Sequence, residues 1–245
     1  MRYGEDHEQH ALLIRPAHAD PTPVAVVLHG GFWREPWDRS LVDGLCEDLA
    51  RAGWAAWNVE YRRLPRGGWP GTFEDVAAAV DALAGAAAPH ALDLRHVVSI
   101  GHSAGGHLAL WAAARPRLPA GTPGAAPSVL VTHAVSQAGV ADLWEAERLG
   151  LGRSAVRELL GASWRERLPV ASPAELLPLG VPQLLVHGTD DPDVPLSLAE
   201  RYANAARAAG DDVRLVVEPG GHFEHLVPGS TAWARVRTWL EEIRP

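Results

Sequence analysis

The chain predicts an α/β fold with a mostly parallel central sheet and helices on both of its faces. Three observations predict it. Short runs rich in Val, Leu and Ile alternate with longer helix-like runs, the pattern of βαβ units. The 245 residues carry 47% hydrophobic and 21% charged side chains, near globular norms and enough for a large core. No stretch approaches the roughly 20 apolar residues of a membrane helix.

Taken in order, the expected strands are Ala11–Ile14, Val24–Leu28, Ala55–Val59, Val97–Ile100, Val129–Val135, Gln183–Val186 and Val213–Val217. Helices are expected at Ser40–Ala52, Phe73–Ala86, Gly105–Ala114, Leu196–Ala209 and Thr231–Ile243. Thr72, with Asp75 three residues on, reads as the N-cap of the second helix. The lone cysteine, Cys46, shares a helical stripe with Leu41, Leu45 and Leu49 and reads as packing. Ala114–Pro127, rich in Pro, Gly and Ala, reads as a surface loop. From Ser136 to Pro182 the rhythm breaks into short amphipathic pieces, at Asp142–Arg148 and Ser154–Leu160, separated by Gly and Pro. One domain covering 1–245 is expected, with 136–182 either a cap or substrate wall, or irregular packing.

Composition excludes several function classes. A formal net charge of −8 argues against a nucleic-acid surface, which needs clustered cations to displace counterions. A single cysteine permits neither an intramolecular disulfide nor a cysteine metal cage. All 22 basic side chains are arginine, which removes Schiff-base lysine chemistry, a pyridoxal phosphate anchor and a phosphate-loop lysine. No cofactor and no metal are expected. The opening residues Met1–Asp6 lack the apolar core of a signal peptide, so a soluble, cytoplasmic protein with no membrane partner is expected.

The chemistry centres on Gly101-His102-Ser103-Ala104-Gly105, a G-x-S-x-G motif between the apolar run Val97–Ile100 and a helix-like run. A serine on such a strand-to-helix turn has its hydroxyl lifted above the sheet, within reach of a base. Ser103 is the expected nucleophile. His222 follows the last expected strand directly, at the sheet edge where sites form, and is the expected base. His225 is its rival. His102 is set aside because neighbouring side chains on such a turn point apart, and His29 is expected to shape its glycine loop by hydrogen bonding. A carboxylate must orient the base, and Thr189-Asp190-Asp191-Pro192-Asp193 offers three; Asp142 is a further alternative. Local chemistry does not separate Asp190 from Asp191. The amide of Ala104, with those of Gly31 and Phe32 in His29-Gly30-Gly31-Phe32-Trp33, is expected to form an oxyanion hole. Trp33, Trp69, Trp144, Trp164 and Phe223 fall in expected loops around the active edge, and Trp33, Trp69, Trp144 and Phe223 are the expected substrate contacts.

Together these residues resemble the α/β-hydrolase superfamily over roughly Val24 to Leu240. Their spacing from His187-Gly188 and to Val194-Pro195 makes Asp191 the family-like acid, in the chain order Ser103, Asp191, His222. His29-Gly30-Gly31-Phe32-Trp33 and Gly101–His107 look like the esterase and kynurenine formamidase branch, although Phe32 stands where hormone-sensitive-lipase-type enzymes have a third glycine. The resemblance implies a serine hydrolase acting on small carboxylic esters, with an aryl-formamide as the alternative substrate. A non-catalytic small-ligand binder on the same fold is the reading from another class. The expected partner is a small molecule with an apolar or aromatic portion; the sequence is silent on oligomeric state.

Overall fold

The structure is a computed structural model that describes residues 1–17 and 21–244. Its strands are β1 (Ala11–Ile14), β2 (Thr22–Leu28), β3 (Ala55–Val59), β4 (Leu92–His102), β5 (His133–Gln137), β6 (Gln183–Gly188) and β7 (Val213–Glu218). Between and after them run α1 (Asp43–Arg51), α2 (Gly71–Asp81), α3 (Leu83–Ala87), α4 (Ala104–Ala114), α5 (Leu143–Arg148), α6 (Ala155–Leu160), α7 (Trp164–Ala171), α8 (Leu196–Ala208) and α9 (Thr231–Glu242). The strands form one sheet in the order β1-β3-β2-β4-β5-β6-β7. All pairings are parallel except β1 with β3.

All seven residues of β2 are buried, as expected of a strand covered on both faces. Its side chains alternate between two cores. Val24, Val26 and Leu28 join one with Val76 and Val80 of α2, Leu108 of α4 and Leu198 of α8. Ala25 and Val27 join the other with Leu45, Cys46 and Leu49 of α1 and Trp233, Val236 and Leu240 of α9. Two helices therefore cover one face and the remainder the other, with the period-2 alternation of the strand deciding which residue serves which core. Burying each such aliphatic side chain contributes about 1.5–3 kcal/mol.

Several expected boundaries move. β4 extends from Leu92 to His102 rather than Val97–Ile100, and Val129–Val131 lie outside the ladder of β5 despite their apolar character. Val129 and Val131 are still buried, and Val129 spends its amide on Asp81 Oδ1 at 3.1 Å. Thr72 is not a cap. Helix α2 begins two residues earlier at Gly71, after Pro70, and the Thr72 hydroxyl donates to the Arg62 carbonyl at 2.7 Å and accepts from the Gly68 amide at 2.8 Å. Leu41 leaves the Cys46 stripe because residues 39–42 form a 3₁₀ turn before α1 starts.

The 136–182 interval holds α5, α6 and α7, the last of which the periodicity did not mark. Arg34, from the loop after β2, donates to Glu158 Oε2 and the Gly152 carbonyl, each at 2.7 Å. Among the described residues no helix is long and apolar enough to cross a membrane.

Candidate active site

β4 ends at His102 and α4 begins at Ala104, so Ser103 alone makes the turn, at φ 56° and ψ −119°. A non-glycine residue holds such a conformation only when its surroundings impose it. They do here: the Ser103 amide donates to the Gln137 carbonyl at 2.8 Å, and its carbonyl accepts from Gly106 at 2.9 Å and Val140 at 3.3 Å. The two motif glycines are required by space rather than by φ. A Cβ on Gly101 would lie 2.0 Å from the Gly105 carbonyl oxygen, and one on Gly105 would lie 2.0 Å from that of Leu28. Helix α4 therefore sits directly on β2 and β4.

The loop after β2 turns through three consecutive positive φ values, at Gly31 (110°), Phe32 (50°) and Trp33 (58°). His29 anchors it: Nε2 lies 3.1 Å from Glu60 Oε1, the ring stacks on Tyr61 at 4.3 Å, and the Tyr61 hydroxyl donates to the His29 carbonyl at 2.8 Å. The amides of Phe32 and Ala104 have no acceptor among the described residues.

His222 Nδ1 donates to Asp191 Oδ2 at 2.7 Å, with the Asp191 side chain fully buried. Asp191 Oδ1 accepts from the amides of Asp193 (2.9 Å) and Val194 (2.8 Å). Burial pushes the Asp191 carboxyl up, but hydrogen bonds from His187 and His222 and the Val194 amide outweigh it and hold it well below the usual carboxylate range. Asp190 is exposed and accepts from the Thr189 hydroxyl instead. Asp142 caps α5 by accepting from the Glu145 amide. His225 is fully buried behind the site with neither ring nitrogen bonded, and burial lowers its imidazole to about 4. Among the described residues one trio of possible metal donors, Asp191, Asp193 and His222, lies within 4.8 Å. Two of the three are already bonded to each other.

Ser103 and His222 line one small cleft of about 130 Å³ with Gly31, Phe32, Trp37, Leu41, His102, Asp193 and Phe223. Of the expected aromatic contacts only Phe223 reaches it. Trp33 is fully buried, edge-on to the His107 ring, because the positive φ values turn its side chain into the core. Trp69 packs edge-on against Phe73, and Trp144 stacks on Trp164 over a separate surface groove lined by Arg157 and Arg165. Sequence reading missed Trp37, Leu41 and the cleft position of His102. The one signal for Trp37 was an indole just past the glycine loop.

An elbow after the central strand, followed by an acid after β6 and an imidazole after β7, defines a protein of the α/β-hydrolase fold. The chain belongs to the BD-FAE family, whose model matches residues 12–205. Esterase LipQ of Mycobacterium tuberculosis is 29% identical over 195 residues, covering 77% of this chain and 46% of that protein. The probable carboxylic ester hydrolase LipM of the same organism is 28% identical, covering 84% and 51%. The chain thus spans about half the length of these curated relatives. A truncated carbohydrate esterase from gut microbiota has the same fold, with TM-score 0.84 at 19% identity over 99% of this chain and 94% of that one. A propionate-bound esterase from Thermogutta terrifontis gives TM-score 0.76 at 27% identity, covering 95% and 87%.

Proposed function

We propose that this chain hydrolyses small carboxylic esters through Ser103, His222 and Asp191. The hydrogen bond from His222 to Asp191, in a cleft shared with the Ser103 elbow, carries the reading. Asp191 holds the imidazole with Nδ1 protonated, leaving Nε2 to take the Ser103 proton as Oγ attacks the ester carbonyl. The oxyanion forms against the amides of Ala104 and of Gly31 or Phe32, donors aimed where negative charge develops. Protonated His222 then passes its proton to the departing alkoxide. Water, deprotonated by the same imidazole, releases the acid and regenerates Ser103.

The cleft is smaller than the usual small-molecule site, and its walls of Phe32, Trp37, Leu41 and Phe223 are apolar. A short acyl or alcohol portion fits that description. The names of LipQ, LipM and the Thermogutta esterase favour ester over formamide. We read the 136–182 insertion as support behind the Phe32 wall of the cleft, since Gly152 lies against the Phe32 ring.

A p-nitrophenyl ester series of increasing acyl length, run beside N-formylkynurenine, tests the reading. Short esters are expected to give the highest kcat/KM; a higher value for the formamide would overturn the substrate assignment. Ser103→Ala is expected to abolish labelling by an organophosphonate, and labelling that persists would remove Ser103 from the mechanism.

A further inference from the structure

His102 occupies the variable position of the elbow motif, yet its ring does not point away from the chemistry. It is 2% exposed, and its Nε2 lies 2.8 Å from the backbone carbonyl oxygen of His222, 120 residues away in sequence. A carbonyl only accepts, so Nε2 carries the proton. The two rings approach to 4.5 Å between centroids, tilted by 53°. On its other side the ring presses on the glycine loop: a Cβ added to Gly30 would meet His102 Nδ1 at 3.0 Å, and that nitrogen is buried with no partner. One side chain thus touches three segments, the end of β4, the loop after β2 and the loop after β7.

We propose that His102 is a positioning residue for ester hydrolysis, its Nε2–H tying the His222 loop to the nucleophile elbow while its bare Nδ1 face rests against Gly30. The inference rests on the reading of His222 as the general base. Gly221 and Gly220 precede His222, and Gly220 has φ 132°, so this stretch of chain has little stiffness of its own. A hydrogen bond to the carbonyl of the base residue fixes the backbone from which the imidazole projects, at the strand that also carries Ser103. Displacing a catalytic group by about 1 Å costs up to about 100-fold in rate.

Histidine suits the task because it donates without charge. His222, His225 and Asp191 are the titratable groups that face the ring. Burial, then the neighbouring imidazole of His222, hold His102 well below the ordinary histidine range; the bond to the His222 carbonyl opposes them, His225 adds a smaller lowering and Asp191 a smaller opposing pull. His222 can therefore take up a proton beside a neutral neighbour.

The test uses the full chain with His102→Phe, which keeps a flat ring but no donor, and His102→Gln, which keeps an N–H donor. For p-nitrophenyl acetate, His102→Phe is expected to lower kcat about 10- to 100-fold with KM within about twofold, and to slow phosphonate labelling of Ser103 by the same factor. His102→Gln is expected to regain at least about tenfold of that loss. A phenylalanine variant within twofold of wild type, or a glutamine variant no better than phenylalanine, would overturn the proposal. Nitrogen NMR of labelled histidine gives a second readout that needs no turnover: His102 is expected to hold its proton on Nε2, with Nδ1 bare, from pH 5 to 8. The opposite tautomer would overturn the contact. Wild-type inactivity on every ester would count against the esterase reading instead, and the tautomer would still decide the His102 contact.

Discussion

Glu60 Oε1 lies 3.1 Å from His29 Nε2, joining the end of β3 to the first residue of the glycine loop. The same carboxylate accepts from the amides of Tyr61 (3.1 Å) and Arg39 (3.0 Å) and lies 3.4 Å from Arg63 Nε. Burial pushes its carboxyl up, and the bonds from His29 and Arg39 more than offset this, leaving it below the usual range.

Glu60→Gln keeps the shape and removes the charge that these donors surround. Breaking one side of a buried charged network costs about 3 kcal/mol. Urea unfolding is expected to show a loss of that size, together with a fall in kcat as the loop bearing Gly31 and Phe32 loosens. Unchanged stability would mean the network is not electrostatically coupled.

Asp191 and Asp190 are chain neighbours with different surroundings. Asp191→Asn is expected to lower kcat by about 10³- to 10⁴-fold, because the asparagine amide can turn the His222 imidazole to the wrong tautomer. Asp190→Asn, on an exposed side chain, is expected to stay within about twofold of wild type. Steady-state kinetics on one short ester separates the two.

His107 is fully buried and donates from Nε2 to the Ala171 carbonyl at 2.8 Å. Burial lowers its imidazole to about 4, against 6.5 in the unfolded chain. The unfolded state therefore binds more protons between those values. Stability from this group is present above about pH 6.5 and is lost as pH falls toward 4. His107→Gln, which retains a donor, is expected to flatten the slope near pH 5 by about 1.4 kcal/mol per pH unit. Unfolding free energies measured from pH 4 to 8 check it; an unchanged slope would contradict the burial of a neutral ring.

Two glycines give opposite expectations. Gly105→Ala drives a methyl to 2.0 Å from the Leu28 carbonyl oxygen and is expected to cost at least about 3 kcal/mol by prising α4 from β2. Gly85, in α3, has nothing within 4 Å of an added Cβ. Gly85→Ala is expected to stabilise by about 0.5–1 kcal/mol through helix propensity. Thermal unfolding of both variants gives the signs directly.

The strands and most helices were legible because their signals are local. β1 and β3 appear at the expected residues, and α8 and α9 differ from expectation by one residue at the C-terminus. The elbow was legible for the same reason, since the crowding that demands Gly101 and Gly105 is built into a strand-turn-helix. Helix α7 was not, because it carries Pro169 within it.

From the amino-acid order alone follow the alternating elements, the strand ends on which Ser103, Asp191 and His222 fall, and the exclusion of lysine chemistry and of an intramolecular disulfide. Which side chains meet in the cleft was decided by tertiary structure. Trp33 and Trp37 stand four residues apart in one loop, yet three positive φ values bury the first and leave the second at the cleft. His102 likewise gained its partner only when β7 was laid two strands beyond β5, bringing the His222 carbonyl to its ring. Periodicity and turn chemistry act within a few residues, whereas the direction of a loop side chain is set by contacts with chain a hundred residues distant.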